Sequence, residues 1–170
     1  MRDLADIVAF LKDNHVTLTP AESCTCGLMA SLLSDVPGCG KVLDSGFVVY
    51  SPEAKEKLLH VNPQTIETYG LTSEEVATEM ALGALNATVA TFAVANTGVA
   101  DDSEEDPSGT QCYAFALSLG GLQGGRQVSI SETVRFDGDR VEVRKQAAHY
   151  GLEQLPARYK QLREKLEQGG

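Results

Sequence analysis

Two strand-to-helix turns constrain this chain more than anything else in it. The β-branched run "VTLTP" passes into "AESCTCG" (residues 21–27) and then into the apolar stretch "LMASLLSDV". The apolar run "SGFVVYS" passes in the same way into "SPEAKEKLLH". A strand that breaks directly into a helix is the repeating unit of α/β sheets. Each such turn opens at the carboxyl end of a strand, where open sheets hold their ligands.

The rest of the pattern agrees. "LADIVAFLKDN" places Leu4, Ile7, Val8 and Leu11 on one helical face. "CGLMASLLSDV" reads as a mostly apolar helix stopped by Pro37 and Gly38. "SGFVVYS" is continuous in apolar residues and is expected to be buried on both faces. Ser51 is a natural N-cap for the helix that follows, and Pro52 suits its first turn. "NPQTIETYG" and "TSEEVATEMALGALNAT" read as a short and a long helix, and "TFAVANTGV" as a strand. "TQCYAFALSL" and "RQVSISETVRF" flank "GGLQGG" and predict a hairpin. "GDRVEVRKQAAHYGLEQLPARYKQLREKLEQ" is helical, with Pro156 placed to kink or split it. Early alternation followed by a hairpin predicts an α/β fold. It would be one three-layer α/β/α domain over residues 1–170, its sheet mixed and mostly parallel.

Composition narrows the function. The formal net charge is −10, and an acidic surface repels phosphate backbones, so nucleic acid is not an expected partner. No apolar run approaches the roughly 20 residues that span a bilayer. The opening "MRDLADIVAFLKDNH" lacks the pattern of a secretory signal, so no membrane association and a cytoplasmic location are expected. Cys24 and Cys26 have the wrong spacing for a C-x-x-C pair, and the three histidines (15, 60 and 149) carry no ligand motif. No metal or other cofactor and no disulfide are therefore expected.

The turn "AESCTCG" has two readings. Ser23 or Thr25 caps the next helix, as such residues commonly do. Alternatively, Ser23 is a nucleophile, with free N–H groups of the helix start beside it to hold an oxyanion. A nucleophilic serine needs a base, and no Ser-His-Asp arrangement is discernible. "YSPEAK" offers another base. Tyr50 ends the second strand, and Lys55 lies in or near the first turn of the following helix. The positive end of that helix and any burial disfavour its charged form. Lys55 also reads as an ordinary solvated helix lysine, and Arg140 and Arg144 as members of a mixed-charge helix surface.

The segments "AESCTCG", "SDVPG", "GFVVYSPEAKEKLL", "TSEEVATEMALGAL", "NTGVA", "GT" and "GDRVEVRKQAA" resemble, in order and spacing, the CinA C-terminal domain family. The resemblance runs over almost the whole chain. That family includes stand-alone nicotinamide mononucleotide amidohydrolases, so the resemblance implies hydrolysis of a pyridine-nucleotide carboxamide to the acid and ammonia. It implies a catalytic set of Ser23, Tyr50 and Lys55. It implies substrate contacts from Thr25, Gly27, Thr97, Gly98, Gly109 and Thr110, with Arg140 and Arg144 on the phosphate. It also implies a homodimer or larger homo-oligomer.

Two departures stand out. The family usually writes "AESCTGG"; here Cys26 replaces the first glycine of the pair. The family continues "TGIAGP" into a Gly-rich loop; here "TGVADDSEEDPSGT" lacks the Gly-Pro pair and carries five acids. An anionic loop near a phosphorylated ligand implies weakened binding. The alternative function is accordingly a catalytically impaired or inactive paralogue with a binding or regulatory role.

Overall fold

The computed structural model describes residues 3–101, 106–119 and 125–168. Five strands form one sheet in the order β2-β1-β3-β4-β5: β1 Leu18–Glu22, β2 Phe47–Val48, β3 Phe92–Gly98, β4 Thr110–Leu119 and β5 Arg126–Arg135. β1 pairs in parallel with β2 and β3, while β3–β4 and β4–β5 are antiparallel. Four strands thus run one way and only β4 opposes them, although the pairings divide evenly. The β4–β5 register runs from Thr110 opposite Arg135 to Leu119 opposite Arg126, which is the expected hairpin. Most of its turn, residues 120–124, lies outside the described residues.

Period-two alternation along β3 and β4 sorts the core. Phe92, Val94, Tyr113, Phe115 and Leu117 face one way. There they meet apolar residues of α1 (Leu4–Asp13), α2 (Leu28–Ser34), α6 (Arg140–Glu153) and α7 (Leu155–Gln168). Ala93, Ala95, Cys112, Ala114 and Ala116 face the other way, against Val76, Ala77, Met80 and Ala84 of α5 (Glu74–Ala87). Small side chains on that face let α5 lie close to the sheet. The same layer holds α3 (Pro52–Leu59) and α4 (Pro63–Tyr69). The helix starts follow their sequence signals: Ser51 and Ser73 accept from Ala54 and Val76, and Asp139 and Glu142 form a capping box on α6. Pro156 accompanies the break between α6 and α7. No helix among the described residues is long and apolar enough to cross a membrane.

Three expectations need correction. β1 begins two residues later than "VTLTP" and continues through Ala21 and Glu22, so that Ser23 follows the strand directly. β2 is not a strand buried on both faces. It is a two-residue edge strand whose Val48 is half exposed, because β1 is its only neighbour. α2 begins at Leu28, since Cys26 and Gly27 adopt positive φ values of 51° and 88°.

The chain leaves β1 outward to β2 and returns across it to β3 on the other side. The carboxyl ends of β1, β2 and β3 therefore frame the point where the strand order reverses, and the crevice of an open sheet forms there.

Candidate active site

Ser23 stands immediately beyond β1, held by its N–H on the Asn96 carbonyl of β3 (2.9 Å). Lys55 sits one turn into α3 and is buried, at 1% exposure. Its Nζ donates to Ser23 Oγ (2.9 Å), to the Val49 carbonyl (2.9 Å) and to the Tyr50 carbonyl (3.1 Å). All three partners are neutral oxygens. Burial without a carboxylate partner pulls the amine down to about 8. A neutral lysine amine in hydrogen-bond reach of a serine hydroxyl is a base able to take its proton.

Tyr50 contributes differently from its expected role. Its carbonyl touches Lys55, while its exposed phenol accepts from Arg140 Nη2 (3.0 Å). The phenol thus belongs to a neighbouring pocket and not to the Ser23–Lys55 contact. That pocket, about 210 Å³, is lined by Cys24, Tyr50, Gly98, Val99, Asp101 and Arg140, among others. Arg140 also forms an ion pair with Asp101.

The turn itself is built from buried polar contacts. Glu22 is 1% exposed and accepts from the N–H groups of Met29 (3.1 Å) and Ala30 (2.9 Å). Its carboxylate thereby occupies the positive end of α2. Thr25 N–H donates to Asn96 Oδ1 (3.2 Å), and Cys26 N–H to the Ser23 carbonyl (3.1 Å). Neither of these N–H groups is free for an oxyanion. Gly27 N–H has no acceptor among the described residues. Asn96 Nδ2 in turn donates to Gln111 Oε1 (2.9 Å), and Gln111 Nε2 donates to the Val99 carbonyl (2.9 Å) and to Cys24 Sγ (3.4 Å). Burial pushes the Cys24 thiol up despite that donor and the nearby arginines. A thiol kept protonated is a poor nucleophile, and of Ser23 and Cys24 it is the Ser23 hydroxyl that meets Lys55 Nζ.

Arg144, expected at the phosphate, is directed elsewhere. Its Nε donates to the Cys24 carbonyl (3.0 Å) and its Nη2 to the Thr25 carbonyl (3.3 Å). Thr97 and Thr110 also point their hydroxyls at backbone, on the Leu71 carbonyl (2.8 Å) and the Pro107 carbonyl (2.7 Å). A Cβ on Gly98 would run into the Thr110 carbonyl, and one on Gly109 into the Phe136 carbonyl. These two glycines permit close backbone approach beside the pocket. The structure brings Ser23 and Lys55 together and sets Tyr50, Gly98 and Arg140 around one cavity. It turns Arg144, Thr97 and Thr110 to structural bonds.

Sequence reasoning missed Glu22, Asn96, Gln111 and Asp101. A signal existed for two of them, Asn96 and Gln111: each is a polar residue inside an otherwise apolar strand reading, in "VANTG" and "TQCYAF". Among the described residues no cluster of three or more His, Cys, Asp or Glu is arranged to hold a metal ion. All four cysteines are free.

Such a molecule is a mixed-sheet α/β/α protein with a serine and a buried lysine paired where the strand order reverses. The chain belongs to the CinA C-terminal domain family, whose model matches residues 3–159. It is 41% identical over 148 residues to the nicotinamide-nucleotide amidohydrolase PncC of Escherichia coli K12, a match covering 85% of this chain and 86% of that protein. It is 43% identical over 152 residues to a CinA-like protein of Chlorobium luteolum; there the match covers 88% of this chain but 35% of the longer relative. The crystal structure of the competence/damage-inducible protein CihA from Agrobacterium tumefaciens superposes with a TM-score of 0.79 at 35% identity, covering 91% of this chain and 92% of that one.

Proposed function

We propose that the chain hydrolyses the carboxamide of a nicotinamide nucleotide, releasing ammonia and leaving the carboxylic acid. The observation that carries this reading is the 2.9 Å contact between Lys55 Nζ and Ser23 Oγ, with the amine buried and held on neutral oxygens only. The similarity to amidohydrolases named for this class of substrate supports it.

An amide carbonyl is a weak electrophile, so the reaction needs an activated nucleophile and a site for the developing charge. Neutral Lys55 takes the Ser23 proton as Oγ attacks the carboxamide carbon. The tetrahedral oxyanion is held near Gly27 N–H. The resulting ammonium of Lys55 passes its proton to the departing nitrogen, and ammonia leaves as the ester forms. Water then attacks that ester, again deprotonated by Lys55, and the acid is released with Ser23 regenerated. Tyr50 borders the site: its carbonyl holds Lys55 and its phenol meets the remainder of the substrate in the pocket beside Arg140. Gly98 lines the same cavity. Arg144 acts by holding the turn. The self-association implied by the family resemblance belongs to the same proposal and is read by sedimentation.

One pair of observations favours an impaired paralogue instead. Arg140 is already engaged by Asp101, and Cys26 holds a left-handed backbone conformation that a glycine adopts more readily. Ammonia release from nicotinamide mononucleotide separates the two readings. Activity abolished by Ser23→Ala and by Lys55→Met supports the hydrolase; no release by the native chain supports the paralogue.

A further inference from the structure

We propose that Asp101 is a specificity residue that offsets Arg140, so that the site uses the phosphate-free nucleoside form of the carboxamide at least as well as the nucleotide. This rests on the amidohydrolase reading above. Four observations lead to it.

Among the described residues, Arg140 is the cationic side chain that lines the cavity next to Ser23, and Asp101 lines that same cavity. Asp101 and Arg140 form an ion pair, so the charge of Arg140 is already met by a carboxylate where a phosphate would have to be held. Arg140 also donates to the Tyr50 phenol (3.0 Å), which leaves fewer of its donors facing the cavity. A second arginine does not compensate, because Arg144 is bonded to the carbonyls of Cys24 and Thr25.

Charge points the same way. At neutral pH a phosphomonoester carries a charge of about −1.5 to −2. The nucleotide is therefore net anionic despite its pyridinium ring, whereas the nucleoside is a monocation. On a chain of formal charge −10, the cation is the favoured visitor.

Both side chains of the ion pair are more than a third exposed, so a phosphate can displace Asp101 at modest cost. The displaced carboxylate nevertheless remains within a few ångströms of the phosphate. Screened as in bulk water, which suits two exposed groups, like charges about 4 Å apart amount to roughly a tenfold change in affinity. Asp101 thereby lowers the benefit of the phosphate without closing the site.

The test compares kcat/KM for ammonia release from nicotinamide mononucleotide and from nicotinamide riboside, with native chain and with Asp101→Asn. Because Asp101 is exposed, the variant is expected to fold, and its melting temperature checks that. The native ratio of nucleotide to riboside should lie at or below one. Asp101→Asn should raise it about tenfold, through a lower KM for the nucleotide with kcat little changed. A native preference for the nucleotide of tenfold or more, unaltered by Asp101→Asn, overturns the proposal. If neither compound releases ammonia, the amidohydrolase reading fails on its own, and the inference is read by calorimetric titration of both compounds. A tighter nucleotide Kd in Asp101→Asn with an unchanged riboside Kd then supports it, and equal changes or none contradict it.

Discussion

The Arg144 guanidinium reaches out of α6 to donate a 3.0 Å hydrogen bond to the carbonyl of Cys24, the residue next to Ser23. A second nitrogen of the same group holds the Thr25 carbonyl at 3.3 Å. The fork holds carbonyls of the turn that presents the serine, while Asn96 of β3 receives the Ser23 and Thr25 N–H groups.

Removing that fork is expected to disturb chemistry more than binding. Arg144→Ala should lower kcat by about 10- to 100-fold with KM for the nucleotide changed little, because a loosened turn misplaces the nucleophile. Stability should fall by about 1–3 kcal/mol, since carbonyls in a half-buried site lose their donors. Steady-state kinetics and a denaturant titration check both. A rise in KM with kcat intact would return Arg144 to the role of phosphate ligand.

Cys26 gives a second, purely conformational expectation. At φ 51° its Cβ lies close to backbone, a cost that glycine avoids. Cys26→Gly should stabilise the chain by up to about 1 kcal/mol, a rise in Tm of roughly 2–4 °C for a protein of this size. Thermal unfolding under reducing conditions reads it. A lower Tm would show that the sulfur has packing value that outweighs the strain.

Lys55 links the site to stability. Its folded-state value of about 8 lies below the ordinary 10.5, so between those pH values the unfolded chain binds the extra proton. Stability due to this group therefore rises as pH increases from about 8 to 10.5 and is absent below 8. The stability difference between native chain and Lys55→Met isolates that contribution from other titrating groups. It should shift in favour of the native chain by up to about 3 kcal/mol across the window. A difference flat with pH would mean that Lys55 titrates as an exposed lysine does.

Much of the fold is legible because it is governed by periodicity and caps. The helix start at Ser51 is readable from its cap, and Ser73 and Asp139 cap α5 and α6 by the same chemistry. The length of β2 is not legible: "GFVVY" has the composition of a central strand, and only the strand order makes it an edge. The same limit applies within the site. Spacing brings Ser23 and Lys55 to adjoining turns, and the resemblance names them, but a sequence does not show where an arginine fork will point. Arg140 and Arg144 are one helical turn apart, and one faces the cavity while the other closes on the Ser23 turn. Glu22 was hidden by its own chemistry: a carboxylate reads as surface until α2 supplies two N–H groups to hold it.

The pH dependence of ammonia release from nicotinamide mononucleotide tests the Ser23–Lys55 account most directly. With a neutral lysine as the base and a folded-state value of about 8, activity should rise about tenfold per pH unit below 8 and level off above it. Ser23→Ala should remove that activity at every pH. A rate that is flat from pH 6 to 9, or one that survives Ser23→Ala, would contradict the account.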